Sequence, residues 1–209
     1  MISLAENKNL SISEGFMYLY HPQYIEIKRF INNNKEKRLS ITCRFGIPYL
    51  SNPGYRYSKN LSGGAFYDVG CYPISIISEL FNDNKISINY SEINHNKKFE
   101  VDIYGKALLK IDLNKSVFLE WAYGKSYRND IDIWGESNGL YSDKIFSKPD
   151  NYFPSLVYFD KSGTKETSKI KKNNHFLLMF QNFVKNLDNI KFREEQHNCI
   201  INRAKLTEK

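Results

Sequence analysis

The spacing of apolar residues changes once along the chain, near residue 82. Before that point, helical periodicity predicts helices over residues 24–33 and 64–81. Alternation predicts a strand over 38–47, and the aromatic run 12–20 is typical of another strand. Beyond residue 82, alternation predicts six short strands, over residues 86–90, 100–112, 116–123, 129–136, 139–146 and 155–160. Two final helices are expected over residues 174–187 and 194–207.

A run of antiparallel strands with helices gathered at one side is the α+β class. We therefore expect a single α+β domain, with an open, mostly antiparallel sheet and helices packed on one face. The opposite face would be uncovered, which predicts a homodimer through the open sheet face. Pro73 lies inside the segment 64–81, where its missing N–H predicts a kink or a restart of the helix.

The composition bounds the class of protein. The chain has 209 residues, of which 41% are hydrophobic and 15% aromatic, enough for one domain with a core. No apolar run approaches the ~20 residues that span a bilayer, and the first residues lack the pattern of a signal peptide. Three cysteines without C-x-x-C spacing predict reduced thiols and a cytoplasmic location, and four unpaired histidines argue against a metal centre.

The net charge of +7 raises the question of an anionic partner. The densest basic run, residues 161–172, is mixed with Ser, Thr and Gly, which is typical of a solvated loop. A second interpretation is attraction of an anionic small molecule such as a nucleotide sugar. No helix-turn-helix, zinc-finger or aromatic RNP pattern is present, so we expect no nucleic-acid partner.

The candidate chemistry is concentrated in residues 63–74 (GGAFYDVGCYPI). Asp68 and Tyr72 are four residues apart and would share a helical face, and a tyrosine positioned by a carboxylate can donate a proton to a carbonyl oxygen. Gly63 and Gly64 allow close approach of backbone or ligand. Arg56 precedes the glycine pair by seven residues and could meet a phosphate or a hydroxyl group.

Residues 14–23 (EGFMYLYHPQ), followed by residues 63–74, resemble the Gfo/Idh/MocA family of oxidoreductases. The resemblance implies that Tyr72 is the proton donor or acceptor, with Asp68 beside it as a second catalytic residue. Tyr20 and His21, at the end of the first motif, are expected in a substrate pocket. Arg56, Gly63 and Gly64 are counted with them as candidate substrate contacts, although the two glycines could instead form only the turn that starts the helix. Leu19 departs from the family pattern, which commonly has arginine there. With tyrosine at position 72, the motif resembles the glucose–fructose oxidoreductase, dihydrodiol dehydrogenase and nucleotide-sugar 3-ketoreductase branches more than the inositol dehydrogenase branch, which uses histidine. The wording of residues 68–73 (DVGCYP) favours the sugar ketoreductase branch among these.

Members of this family have an N-terminal Rossmann domain that binds NAD or NADP and a C-terminal α+β domain. The chain resembles only the second domain, so residues 1–10 are expected to be the remnant of the interdomain helix and residues 11–209 the substrate-binding and dimerisation domain. No G-x-G-x-x-G fingerprint occurs. Lys148-Pro149 lies too far downstream to be the family's catalytic Glu-Lys-Pro motif. We expect no cofactor to bind this chain alone.

Three functional hypotheses follow from the resemblance. The chain is a C-terminal domain of a sugar or nucleotide-sugar oxidoreductase and inactive alone, or it is a half-enzyme completed in trans by a Rossmann-domain partner. The third hypothesis is a non-catalytic module that binds sugar or dimerises.

Overall fold

The computed structural model describes residues 1–34, 38–52, 54–82 and 84–208. Its α-helices are α1 Ile2–Asn7, α2 Pro22–Asn33, α3 Cys71–Leu80, α4 His175–Lys185 and α5 Ile190–Thr207. Its strands are β1 Leu39–Ile47, β2 Ile86–His95, β3 Asp102–Ile111, β4 Lys115–Tyr123, β5 Arg128–Trp134, β6 Asn138–Asp143, β7 Ser155–Asp160 and β8 Lys165–Lys169. None of the helices in these ranges is long and apolar enough to cross a membrane.

The strands form one open sheet of eight strands in the order β2-β3-β4-β1-β5-β6-β7-β8. Every neighbouring pair is antiparallel except β1 and β4, which run parallel. In this order β1 lies near the centre of the sheet, where Phe45 is opposite Trp121 on β4 and Asn129 on β5. The predicted α+β class and open, mostly antiparallel sheet are confirmed.

One face of the sheet carries the helices. Leu39, Ile41 and Cys43 alternate along β1 with exposed or half-buried residues, and they join α2 and α3 in the hydrophobic core. Each of these buried side chains contributes because apolar surface removed from water is stabilising. The other face presents polar side chains such as Ser40 and Arg44, together with Trp134, which is 74% exposed. No helix of the described ranges covers that face.

Trp121 on β4 fixes the helical layer to the sheet. Its ring lies between Gly70, which ends a π-helical turn at Phe66–Gly70, and Gly105 on β3. A Cβ atom added at Gly70 would approach the ring to 2.9 Å, and one at Gly105 would approach it to 2.2 Å. Both contacts are closer than a real Cβ permits, so the glycines let the turn sit directly on the indole.

The expected strand over residues 12–20 is wrong. The chain instead forms a 3-10 turn at Met17–Tyr20, in which Tyr18 is buried. The Tyr18 ring packs edge-on against Tyr24 and Phe146. The β propensity of the aromatic residues is therefore overridden by their packing in the core.

Strand β8 was not predicted, and it lies within the basic run expected to be a loop. Its five residues are all exposed, and it pairs antiparallel with β7 at the edge of the sheet. A strand is identified in a sequence by apolar residues at every second position. An exposed edge strand made of Lys, Glu, Thr and Ser has no such pattern.

The segment 64–81 is divided as Pro73 suggested. The π-helical turn ends at Gly70, α3 begins at Cys71, and Pro73 lies in its first turn. Proline is tolerated there because N–H groups in a first turn have no intrahelical partner.

Replacing Gly105 with alanine should lower the free energy of unfolding by about 1–3 kcal/mol, since the new methyl group overpacks against Trp121. Denaturant unfolding measures the change. Gly46→Ala in β1 is the matched control, because its Cβ would meet Ala122 at an ordinary 3.5 Å or more. Equal effects of the two substitutions would contradict the importance of this contact.

Candidate functional site

The π-helical turn that carries Asp68 begins against β3. Asp102 Oδ2 accepts a hydrogen bond of 2.6 Å from the backbone N–H of Phe66, and burial raises the pKa of Asp102. Gly64 has a φ of +134° and lies so close that a Cβ would come within 2.0 Å of Asp102 Oδ1. Gly64 is therefore required both for its backbone conformation and for the approach of the Asp102 carboxyl group.

Gly63 holds the preceding loop in place. A Cβ at this position would lie 2.4 Å from the carbonyl oxygen of Tyr55, and the N–H groups of Gly63 and Gly64 donate to Ser58 and Arg56 carbonyls. The close approach predicted for the two glycines is thus made by protein backbone and by Asp102. Their effect is to fold the loop so that Arg56 reaches Asp68.

Asp68 is the centre of a polar cluster. Its carboxylate accepts hydrogen bonds of 2.8 Å from Tyr55 Oη, Arg56 Nε and Tyr123 Oη. The Tyr123 hydroxyl also lies 3.0 Å from the carbonyl oxygen of Gly64. Burial and the bond to Asp68 raise the pKa of Tyr123. The structure thus brings Asp68, Arg56 and the glycine pair together.

Tyr72 stands next to this cluster in an aromatic wall. Phe16, Phe45 and Phe146 have ring centroids 5.3–5.5 Å from the centroid of the half-buried Tyr72 ring. The Tyr72 hydroxyl donates to Met17 Sδ at 3.9 Å. Burial raises the pKa of Tyr72 to about 12, with further contributions from Cys71, Asp68 and Tyr55. Asp68 therefore acts on Tyr72 through its charge, while its hydrogen bonds go to other residues.

The two other predicted pocket residues lie apart from Asp68. Tyr20 is half-buried in the 3-10 turn, with Ser13 and Asn182 as hydrogen-bonding neighbours, and burial raises its pKa. His21 is buried and caps α2, where its Nδ1 accepts from the backbone N–H of Gln23 at 3.0 Å. A direct substrate contact by Tyr20 or His21 remains a prediction, and the burial of His21 does not favour it.

His21 belongs to a second, buried basic cluster with His175 and Lys148. The two imidazole centroids are 6.2 Å apart, and Lys148 Nζ donates to the Ile145 carbonyl at 2.9 Å. Burial lowers the pKa of Lys148 to about 7, and burial with the charge of Lys148 lowers the pKa of His21 to about 3 and of His175 to about 4. Within the described residues, His21 Nε2 and His175 Nδ1 have no hydrogen-bond partner.

The sequence pattern missed several of these residues. Tyr123 could have been found, because alternation along β4 puts it on the same buried face as Leu119 and Trp121. Tyr55 and Lys148 carried no periodic signal, and Lys148-Pro149 was considered only as a pair too far downstream to be the family's Glu-Lys-Pro motif.

One groove of the sheet is separate from the Asp68 cluster, since neither Asp68 nor Tyr72 lines it. A groove of about 670 Å³ opens on the helix-free sheet face, lined by residues that include Ser40, Lys110, Ser116 and Trp134. No group of three or more His, Cys, Asp or Glu side chains suited to a metal ion occurs in the part of the chain that the structure describes.

Comparison with known proteins shows which protein family and which enzymes this chain resembles. The family model for the GFO/IDH/MocA C-terminal domain matches residues 35–141. A dTDP-3,4-didehydro-2,6-dideoxy-alpha-D-glucose 3-reductase from Actinomadura kijaniata is 24% identical over 84% of this chain and 53% of its own length. The Saccharopolyspora spinosa enzyme of the same name is 26% identical over 78% of the chain and 49% of its own length. The chain thus spans about half the length of these curated relatives.

The solved structures agree on the fold. A 3-ketoreductase from Actinomadura kijaniata, in complex with NADP and TDP-benzene, superimposes with a TM-score of 0.90 at 21% identity. The match covers 99% of this chain and 63% of that protein. An inositol dehydrogenase homologue from Azotobacter vinelandii, complexed with NAD⁺, gives a TM-score of 0.77 at 10% identity over 98% and 63% of the two chains.

The buried basic cluster should make stability depend on pH. Lys148 has a native pKa of about 7 against an ordinary 10.5, so between these values the unfolded chain binds a proton that the folded chain lacks. Stability therefore falls as the pH is lowered from about 10.5 to 7. Lys148→Met should raise the free energy of unfolding at pH 7 by about 1–3 kcal/mol and flatten this slope.

Denaturant unfolding at a series of pH values measures both effects of Lys148→Met. Lys191→Met is the control, because the Lys191 side chain is 85% exposed. An unchanged slope in Lys148→Met would show that this lysine is charged in the folded protein.

Proposed function

Since the chain belongs to the Gfo/Idh/MocA family of oxidoreductases, we propose that residues 11–209 are the substrate-binding and dimerisation domain of an NAD(P)-dependent sugar or nucleotide-sugar oxidoreductase. Residues 1–10, which include α1, are the end of the helix that enters from a cofactor-binding domain. The relatives' names favour a 3-keto nucleotide sugar as the substrate class.

The observation that carries this proposal is the position of Tyr72 beside the Asp68 cluster. Because its pKa is raised to about 12, Tyr72 keeps its Oη proton at neutral pH. It is therefore suited to donate that proton to the oxygen of a sugar carbonyl as this carbonyl is reduced. The carbonyl carbon must gain a hydride at the same time, and no side chain of the cluster can supply one.

Arg56 is the proposed contact for the anionic part of the substrate. Asp68 engages its Nε at 2.8 Å, and the side chain is 32% exposed, which keeps the terminal nitrogens accessible to a diphosphate. Asp68 orients Arg56, while Gly63 and Gly64 act through the loop they fold. Tyr20 and His21 are proposed to support the same pocket from the 3-10 turn behind Tyr72.

The described residues do not fit a dinucleotide cofactor. Such a cofactor needs a glycine-rich turn between a parallel strand and a helix N-terminus. Strand β1 is parallel to β4, yet it is followed by Pro48-Tyr49-Leu50 and the 3-10 turns of the Arg56 loop. We therefore place the NAD(P) site, and the hydride it provides, in another segment or another chain.

Two alternatives use the same site differently. A half-enzyme would receive the cofactor domain in trans, and this differs from the main proposal only in the covalent connection. A non-catalytic module would bind the sugar without turning it over, in keeping with the leucine at position 19, where the family commonly has arginine.

Calorimetric titration tests whether this chain binds the nucleotide part of the substrate but not the cofactor. The purified chain should bind dTDP, and Arg56→Ala or Asp68→Ala should weaken that binding at least about tenfold, since each removes or releases the guanidinium. NADPH should give no heat at millimolar concentration. Glu26→Ala, which breaks an exposed pair with Arg29, is the matched control. Saturable NADPH binding would overturn the proposed location of the cofactor.

Turnover tests the role of Tyr72. With the cofactor-binding domain present, Tyr72→Phe should retain dTDP binding and lose at least about a hundredfold in kcat, because only the proton donor is removed. Equal kcat in Tyr72→Phe and the parent would contradict catalysis by Tyr72. Dependence of kcat on Tyr72 would exclude the non-catalytic module.

We further propose that the helix-free sheet face forms a homodimer interface. Trp134 is 74% exposed and stands between two grooves that share Ser40, Gly135 and Glu136 as lining residues. A two-fold axis would let the indole of each protomer enter a groove of its partner, as a self-complementary interface requires.

Sedimentation of Trp134→Glu tests the dimer. The parent chain should sediment as a dimer at micromolar concentration and the variant as a monomer, because a charge would be buried at the centre of the interface. Tyr67→Glu is the control, since Tyr67 is 68% exposed on the helix-bearing side. A monomeric parent chain would overturn the proposal.

A further inference from the structure

The buried basic cluster of His21, His175 and Lys148 contains nitrogen atoms that the proposed reaction does not use. The three residues are 0%, 3% and 7% exposed. The two imidazole centroids are 6.2 Å apart, which is short enough for one small ion to contact a nitrogen of each ring. Lys148 lies close enough to act through its charge on both imidazoles. The cluster is therefore one compact group and not three separate buried side chains.

Two nitrogens of the cluster need a partner that the described chain does not provide. His21 Nδ1 accepts a hydrogen bond from the backbone N–H of Gln23, so in the neutral imidazole the proton is on Nε2. Within the described residues, His21 Nε2 and His175 Nδ1 have no hydrogen-bond partner. A buried N–H group without an acceptor is unfavourable, and folded proteins rarely leave one unsatisfied. The cluster is thus suited to an acceptor from outside the chain.

The charge of Lys148 is not balanced by an acidic side chain. Its Nζ donates to the Ile145 carbonyl oxygen at 2.9 Å, and burial alone lowers its pKa to about 7. The carboxylate of Asp143, at the end of β6, accepts a hydrogen bond from Tyr152 at 3.1 Å. A buried ammonium group without a counter-charge is costly, so a negative ion beside Lys148 would be stabilising.

Two helix N-termini add to the positive potential of the cluster. His21 is the N-cap of the twelve-residue helix α2, and His175 is the first residue of the eleven-residue helix α4. The N-terminal end of a helix carries partial positive charge, because its first N–H groups point outward without intrahelical partners. Both helix ends, the two unpartnered imidazole nitrogens and the ammonium group therefore favour the same kind of ligand, an anion.

Burial limits the size and the charge of this anion. Removing an ion from water costs more free energy as its charge grows, so a divalent anion such as sulfate is disfavoured. A water molecule can accept the same hydrogen bonds, but it would leave the charge of Lys148 unbalanced. A monovalent anion both accepts the hydrogen bonds and favours the ammonium form of Lys148.

We propose that His21, His175 and Lys148 form a binding site for a monovalent anion of the size of chloride. His21 Nε2–H and the Lys148 ammonium group donate to the ion, and His175 donates when its proton is on Nδ1. The ion joins the first turns of α2 and α4 to the loop that follows β6. Since α4 packs on the turn Met17–Tyr20, the site also supports that turn. This inference does not depend on the proposed oxidoreductase function.

Thermal unfolding of the purified chain at pH 6 tests the site. Replacement of sodium isethionate by sodium chloride at constant ionic strength should raise the melting temperature by about 2–4 °C, and the rise should saturate in the millimolar range. Isethionate carries the same charge but is too bulky for a buried site, so charge screening is equal in the two salts.

Lys148→Met should reduce the chloride-dependent rise at least about fivefold and still fold, because it removes a buried charge. His175→Phe is a second variant with the same expected loss. Lys191→Met is the matched control and should keep the full rise, since the Lys191 side chain is 85% exposed. A melting temperature that is equal in the two salts, or a rise that Lys148→Met retains, would overturn the proposal.

Crystals soaked in sodium bromide locate the ion directly. An anomalous peak should lie in contact with His21 Nε2 and Lys148 Nζ in the parent chain and be absent in Lys148→Met. Bromide at surface lysines only, or a water molecule at the cluster in its place, would contradict the assignment. Neither measurement requires turnover, so a failure of the anion site is distinguishable from a failure of the proposed function.

Discussion

The contact of the Trp121 indole with two glycines is the constraint on which the site depends. Gly105 lets the ring lie flat along β3, and Gly70 lets the π-helical turn descend onto it. A side chain at either position would lift the turn from the sheet, and with it Asp68 and the start of α3. The geometry at Tyr72 is thus set by close packing between layers, which tolerates little change in volume.

The Asp68 cluster has a different physical character. Three donors already occupy the carboxylate, so its negative charge is held in place, and part of it is balanced by Arg56. Burial raises the pKa of Tyr72, and Cys71, Asp68 and Tyr55 raise it further. A tyrosine in this environment is a proton donor at neutral pH, and a positive group brought by another domain would be needed to make it a base.

The sequence predicted the elements whose apolar residues recur at regular spacing. Alternation of apolar and polar residues located β1 and the strands from β2 to β7, because every second side chain of a strand points to the buried face of the sheet. It failed where the period is absent: the exposed strand β8, and the aromatic 3-10 turn at Met17–Tyr20, whose rings pack in several directions. Of the candidate site, Asp68, Tyr72 and Arg56 were predicted, while Tyr55 and Tyr123 were not, because only folding brings the loop and β4 to the same carboxylate.

Helices α3 and α4 differ in how much of their surface is buried. Helix α3 is buried along most of its length, because it lies between the sheet and α5. Helix α4 is also apolar, yet His175 is its one buried residue. Its partner on the inner side is the turn that holds Met17 against Tyr72, so the apolar surface and the reactive hydroxyl are two sides of one unit. An apolar outer surface is destabilising in water and becomes favourable once a second body covers it.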